Sequence, residues 1–196
     1  FDLSPYVKTG KNRIDVEVDN SLVPNCRWYS GSGIYRPVWL RISKPGAVKS
    51  LKVKTLSYSP AIIQVETDVD ARIRIVYDGK TVAEGKTGVY EIPNAKLWSD
   101  RTPSLYTCIA EAGGERLEVR FGIRKLQWSA KTGLMVNGQE ILLRGGCIHH
   151  DNGILGACSF PDAERRRVRI LKEQGFNAIR ISHNPASRAL LDACNG

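Results

Sequence analysis

His149, His150 and His183 are the only histidines among 196 residues, and each lies just past a short apolar run. Asp151 follows the first pair directly. A neutral imidazole can donate one hydrogen bond and accept another, and a carboxylate accepts several. His149 and His150 are neighbours, and on an extended chain they point to opposite faces. At most one of them, together with Asp151 if the loop bends back, can share a pocket with His183. A metal site built from one such histidine, Asp151 and His183 is chemically allowed. However, the His-x-His spacing that puts two imidazoles on one face is absent. Structural histidines bonded to nearby loops are the plainer alternative.

The elements that must position these groups run from Gln139 to Pro185. Ile141, Leu142 and Leu143 form a continuous apolar run, as a strand buried on both faces requires. The run loosens at Gly145-Gly146 and turns polar at His149. A helix is expected next, with Pro161 in its first turn, Asp162 and Glu164 at its positive end, and Lys172 near the other. Gly175 suits the left-handed residue that stops a helix, and Phe176 could fold back on Leu171. Ala178, Ile179 and Ile181 begin a second strand that ends in Ser182, His183 and Asn184. Two parallel strands joined by a helix form a right-handed crossover, and chemistry gathers at the carboxyl ends of such strands. Beyond Pro185, Ser187 can cap a second helix carrying Leu190, Leu191 and Ala193.

RGGCIHHD (Arg144 to Asp151) and GFNAIRISHNP (Gly175 to Pro185) resemble the first two barrel strands of glycoside hydrolase family 2, the family of β-galactosidases and β-glucuronidases. RWYSGSGIYRPVWL (Arg27 to Leu40), LWSDRTPSLYT (Leu97 to Thr107) and FGIRK (Phe121 to Lys125) agree with it in the same order. The resemblance implies a mainly β chain with three parts. Residues 1–45 would be the end of a sugar-binding jelly-roll domain. Residues 46–124 would be an immunoglobulin-like β-sandwich, and residues 125–196 the first βα units of a (β/α)8 TIM barrel. It implies a fragment of a retaining β-glycosidase, most like a β-galactosidase; a β-glucuronidase and a non-catalytic carbohydrate- or partner-binding sandwich are the alternatives. In the family the strand tails commonly read RGxNxHED and SHYP. By that similarity His183 and Asp151 would hydrogen-bond sugar hydroxyls where the glycosidic bond breaks, and His149 would line or brace the pocket. The chain departs from the pattern with Cys147 for Asn, His150 for Glu and Asn184 for Tyr.

Retaining hydrolysis takes two carboxyl groups about 5–5.5 Å apart. In the barrel portion, Glu140, Asp162, Glu164, Glu173 and Asp192 fall at strand starts or on helices; Asp151 alone sits at the active end. One carboxylate cannot serve as both nucleophile and acid. No residue here is therefore assigned a catalytic role, and the family's glutamates are expected on later barrel strands. The resemblance implies a carbohydrate as partner and no cofactor in this segment. It leaves a divalent cation such as magnesium, and homo-oligomeric assembly, open to the whole protein.

Composition narrows the remaining classes. The chain is 42% hydrophobic and 25% charged, as folded domains are, and no apolar run nears the roughly 20 residues of a membrane span. A net charge of +9 raises nucleic-acid binding. Its densest source is Arg165, Arg166, Arg167 and Arg169, which spread around a helix as a solvated outer face, with Val168 and Leu171 on the buried side. No basic stripe with interleaved aromatics accompanies them. Five cysteines without Cys-x-x-Cys spacing read as free thiols. Phe1-Asp2-Leu3 shows no initiator Met or leader, so the chain is expected to start inside a domain and its terminus assigns no compartment.

Upstream, Ile14, Val16 and Val18 alternate as a half-buried strand would, and Ile34 to Ile42 suggest another. Trp28 and Tyr29 could form a sugar platform, whereas Trp39 and Tyr35 read as packing residues. Two strands without partners cannot bury a sheet face. From Ala47 to Ile123, seven β-type runs alternate with turn signals such as Asp78-Gly79 and Gly113-Gly114, the rhythm of a sandwich. Gly133 to Val136 with Asn137-Gly138 predicts a small hairpin capping the barrel floor.

Overall fold

The computed structural model describes residues 1–22, 33–34, 36–183 and 185–196. Its middle follows from period-two alternation. In β2 (Ala61–Thr67), Ala61, Ile63 and Val65 are buried while Ile62, Gln64 and Glu66 are half-exposed. Such a strand hides one face and wets the other, so it needs a second apolar sheet against it. β2 lies between β1 (Leu51–Tyr58) and β5 (Gly88–Glu91), all antiparallel. The facing sheet runs β4 (Lys80–Lys86), β3 (Arg72–Tyr77), β6 (Tyr106–Ala112), β7 (Glu115–Phe121), again antiparallel. Ile73 and Ile75 of β3 stand opposite Ala110 and Cys108 of β6. They form the core with Ile63, Val65, Val48, Ile92 and Tyr106. Tyr106 is buried, yet its hydroxyl is satisfied, accepting from the Lys96 amide at 2.7 Å. The predicted seven-strand immunoglobulin-like sandwich is present, and its strand ends fall within a few residues of the β-type runs.

The barrel portion joins the sandwich through two of the motifs read in the sequence. Ile123 of FGIRK is fully buried in the sandwich core and bridges to Leu97. The next residue, Arg124, lays its guanidinium 4.1 Å from the centroid of the Trp98 ring. Burial lowers the pKa of Arg124 from its ordinary value. Trp98 in turn accepts at its carbonyl from the Asn137 side chain at 3.0 Å and donates its indole N–H to the Asn195 carbonyl at 3.2 Å. Asn137 turns the expected hairpin: β8 (Leu126–Ser129) pairs β9 (Gly133–Val136), and β9 pairs β10 (Gln139–Glu140). One indole and one amide thus fasten the sandwich to both ends of the barrel portion.

Beyond the hairpin, β11 (Gly145–Ile148) and β12 (Ala178–Ile181) pair in parallel, joined by α1 (Pro161–Glu173); α2 (Arg188–Asn195) follows. Helix α1 has the signals expected of it: Pro161 at its start, Asp162 and Glu164 in the first turn, Lys172 in the last. Gly175 has φ 84°; its N–H reaches the Lys172 carbonyl and that of Phe176 the Leu171 carbonyl, the paired bonds of a Schellman ending. Ser187 caps α2 by accepting from the Leu190 amide.

Four expectations fail, each for want of a partner or through an unforeseen one. The first barrel strand is Gly145–Ile148 and not Ile141 to Leu143, where Leu142 is 75% and Leu143 56% exposed. Register is set by main-chain pairing, which Asn177 anchors at Arg144: its side-chain oxygen accepts from the Arg144 amide at 2.7 Å and its amide donates to the Arg144 carbonyl at 2.9 Å. At Gly145 a β-carbon would run into the Ala178 carbonyl oxygen, so the closest strand approach falls where the side chain is missing. Second, the segment with Ile14, Val16 and Val18 is irregular and exposed, because no described residue offers it a ladder. Third, residues 36–42 are likewise irregular, and Trp39, expected to pack, is 86% exposed. Trp28, Tyr29 and Tyr35 lie outside the described residues. Fourth, Arg167 turns inward from the predicted solvated helix face. In hydrogen exchange, the amides of Cys108, Ile109 and Ala110, central in the larger sheet, should exchange orders of magnitude more slowly than those of Leu142 and Leu143. Equal protection would mean that the apolar run is a strand after all.

Candidate functional site

Parallel pairing decides which side chains meet. Gly145, Cys147, Ala178 and Arg180 share one face of β11–β12, while Gly146, Ile148, Ile179 and Ile181 share the other. The ladder closes with the Ser182 amide donating to the Ile148 carbonyl at 2.8 Å, and Ser182 is buried. The next residues along each strand are His149 and His183. Their rings meet edge to face, centroids 5.4 Å apart and planes at 71°. The Ser182–His183 peptide is cis. His150 Nδ1 lies 3.4 Å from Arg36 Nη2. Of the first histidine pair, His149 is therefore the one that joins His183.

Asp151 is held by α1. Arg167 donates to the carbonyl of Asp151 and, at 3.4 Å, to that of His149; Nη2 also lies 3.9 Å from the Asp151 carboxylate. The carboxylate of Glu164, one turn back on the helix, is 3.8 Å from Arg167 and accepts from the hydroxyls of Ser159 at 3.1 Å and Ser187 at 3.4 Å. This buried acid links the start of α1, the cap of α2 and the His149–Asp151 loop. Arg165, Arg166 and Arg169 are exposed as expected, but Arg167 is the brace of the loop. The sequence held one clue, the Glu164–Arg167 spacing of one helical turn.

Below the histidines, Arg180 Nη1 donates to Ser182 Oγ at 2.7 Å and to Cys147 Sγ at 3.5 Å. Hydrogen bonding to Ser182, then to Arg180, lowers the Cys147 pKa from the usual thiol value; burial pushes Cys108 up to about 11. A lowered pKa means that thiolate is present at lower pH. Alkylation near pH 7.5 should therefore label Cys147 well before Cys108, and Arg180→Ala should slow it. Equal rates would show that the Arg180 contact does not stabilise the thiolate. Among the described residues the cysteines are free; Cys26 lies outside them.

Among those residues, no group of three His, Cys, Asp or Glu side chains converges to hold a cation. His149 and His183 meet edge to face, and the Asp151 carboxylate lies 3.9 Å from Arg167. Nor is any described helix long and apolar enough to cross a membrane.

What the arrangement offers is a pair of imidazoles in contact at the carboxyl ends of two parallel strands, with Asp151 two residues on in the first loop. Comparison with known proteins matches the glycosyl hydrolases family 2 model to residues 42–124, and that family's TIM barrel domain to residues 129–196. The chain belongs to glycosyl hydrolases family 2. A relative named beta-galactosidase BoGH2A, from Bacteroides ovatus, is 34% identical over 229 residues, spanning 100% of this chain and 27% of that protein. A putative beta-glucuronidase of Formosa agariphila is 30% identical over 220 residues, spanning 100% and 21%. Among solved structures, a beta-glycosidase from Bacteroides vulgatus superposes with a TM-score of 0.83 at 30% identity, over 100% of this chain and 28% of that one. The family 2 chain thus spans about a quarter of the length of such relatives, and its mainly β architecture is the immunoglobulin-like domain leading into the start of the barrel.

Proposed function

We propose that this segment supplies part of the sugar-binding subsite of a retaining β-glycosidase acting on terminal β-linked sugars, β-galactosides first among them. One observation carries the reading: His149 and His183, from the ends of adjacent parallel strands, bring their rings to 5.4 Å, in the loop ends where Arg167 also holds Asp151. His183 and Asp151 hydrogen-bond hydroxyls of the sugar whose glycosidic bond breaks, and His149 lines the pocket. The catalytic carboxyl pair comes from parts of the full-length protein outside this segment, since Asp151 cannot serve in both roles. The galactoside preference is supported by the 34% identity to a protein named beta-galactosidase. A glucuronidase is the second reading, supported by the 30% identity to one named putative beta-glucuronidase.

Aryl β-galactosides and aryl β-glucuronides offered to the full-length protein test both readings. Release from the galactoside alone is expected; release from the glucuronide alone selects the second. No turnover of either, with the sugar still bound, leaves a non-catalytic carbohydrate-binding module. The segment by itself should give only background release; turnover abolished by Asp151→Ala would show that it is complete without later strands.

A further inference from the structure

Arg36 lies upstream of the sandwich, yet its guanidinium reaches the carboxyl ends of both barrel strands. Nη2 donates to the Pro185 carbonyl at 2.7 Å and Nη1 to that of Ala186 at 3.4 Å, while Nη2 also lies 3.4 Å from His150 Nδ1. The loop after β12 carries His183; the loop after β11 carries His149 and Asp151. A single planar group therefore ties together the two loops that bear the sugar-binding side chains. A guanidinium can do this because its donors form a rigid fork, which the point charge of a lysine cannot copy.

We propose that Arg36 is a positioning residue, holding the two strand-end loops at the spacing that presents His149 and His183 to one ligand. The proposal rests on the sugar-binding reading above. It also gives His150 a role: 3.4 Å from Arg36, it is the handle by which Arg36 grips the first loop and not a sugar ligand. Two carbonyls and one imidazole on separate loops give this grip three points. The corresponding brace inside the barrel portion is Arg167, which donates to two carbonyls of the first loop.

The test uses the full-length protein with Arg36→Ala, Arg36→Lys and, as a charge-matched control on the exposed face of α1, Arg166→Ala. Hydrogen exchange is followed in peptides covering residues 148–152 and 183–187, alongside kcat and KM on an aryl β-galactoside. In Arg36→Ala, exchange should rise in both loops but not in β6, and kcat/KM should fall roughly 10- to 100-fold, as for a misplacement on the order of 1 Å. Added ethylguanidinium should restore part of the loss, Arg36→Lys should be intermediate, and Arg166→Ala should match wild type. Unchanged exchange in either loop overturns the proposal, and lost activity with unchanged exchange would make Arg36 a substrate contact instead. If wild type hydrolyses no aryl glycoside, the glycosidase reading fails, while exchange still decides the role of Arg36.

Discussion

His183→Ala in the full-length protein should lower kcat and kcat/KM together by about 2–4 kcal/mol, the usual loss for a preorganised donor. Its ring stands just past the end of β12, edge to face with that of His149. A neutral imidazole can donate to one sugar hydroxyl and accept from another. Such bonds tighten as the sugar ring flattens toward an oxocarbenium ion, so the loss belongs in kcat and not in KM alone. His150→Ala, on the opposite side of the strand end, removes no sugar contact. It should cost clearly less, with its effect passing through the Arg36 grip. A His183→Ala protein with full kcat, or one that loses a bound metal along with activity, would make the sugar-contact assignment wrong.

Ile73→Ala should destabilise the chain by about 2–5 kcal/mol, the range for truncating a buried aliphatic side chain. Ile73 is fully buried on β3, paired across to Ala110 on β6 and Gly85 on β4. Truncation leaves a void between two tightly packed sheets that has few ways to collapse. Leu142→Ala is the contrast: its side chain is 75% exposed, and the change should stay within about 0.5 kcal/mol. Chemical denaturation followed by circular dichroism measures both. Comparable losses would mean that the barrel portion shares one cooperative core with the sandwich.

The contrast also explains what could be read in the sequence. The sandwich was legible because most of its strands carry their own alternation and most of its turns a glycine, asparagine or proline; these signals are local. Helix α1 was legible for the same reason, from Pro161 to Gly175. The first barrel strand was misplaced by about four residues because an apolar run such as Ile141 to Leu143 specifies burial only where neighbours exist. Pairing instead follows the Asn177 contacts to Arg144, across 33 residues. The histidines could be assigned to strand ends, where His149 and His183 now meet. The arginines could not. Arg36 meets His150 across 114 residues, and Arg167 meets the Asp151 carbonyl across 16. Nothing local separates Arg167 from Arg165 or Arg166 except its spacing from Glu164.

A crystal structure of the full-length protein with a bound galactoside analogue tests the central claim most directly. The account predicts sugar hydroxyl oxygens within hydrogen-bonding distance of His183 and of the Asp151 carboxylate, with His149 along the pocket wall and His150 turned toward Arg36. A sugar bound elsewhere, with His149 and His183 facing only protein, would contradict it.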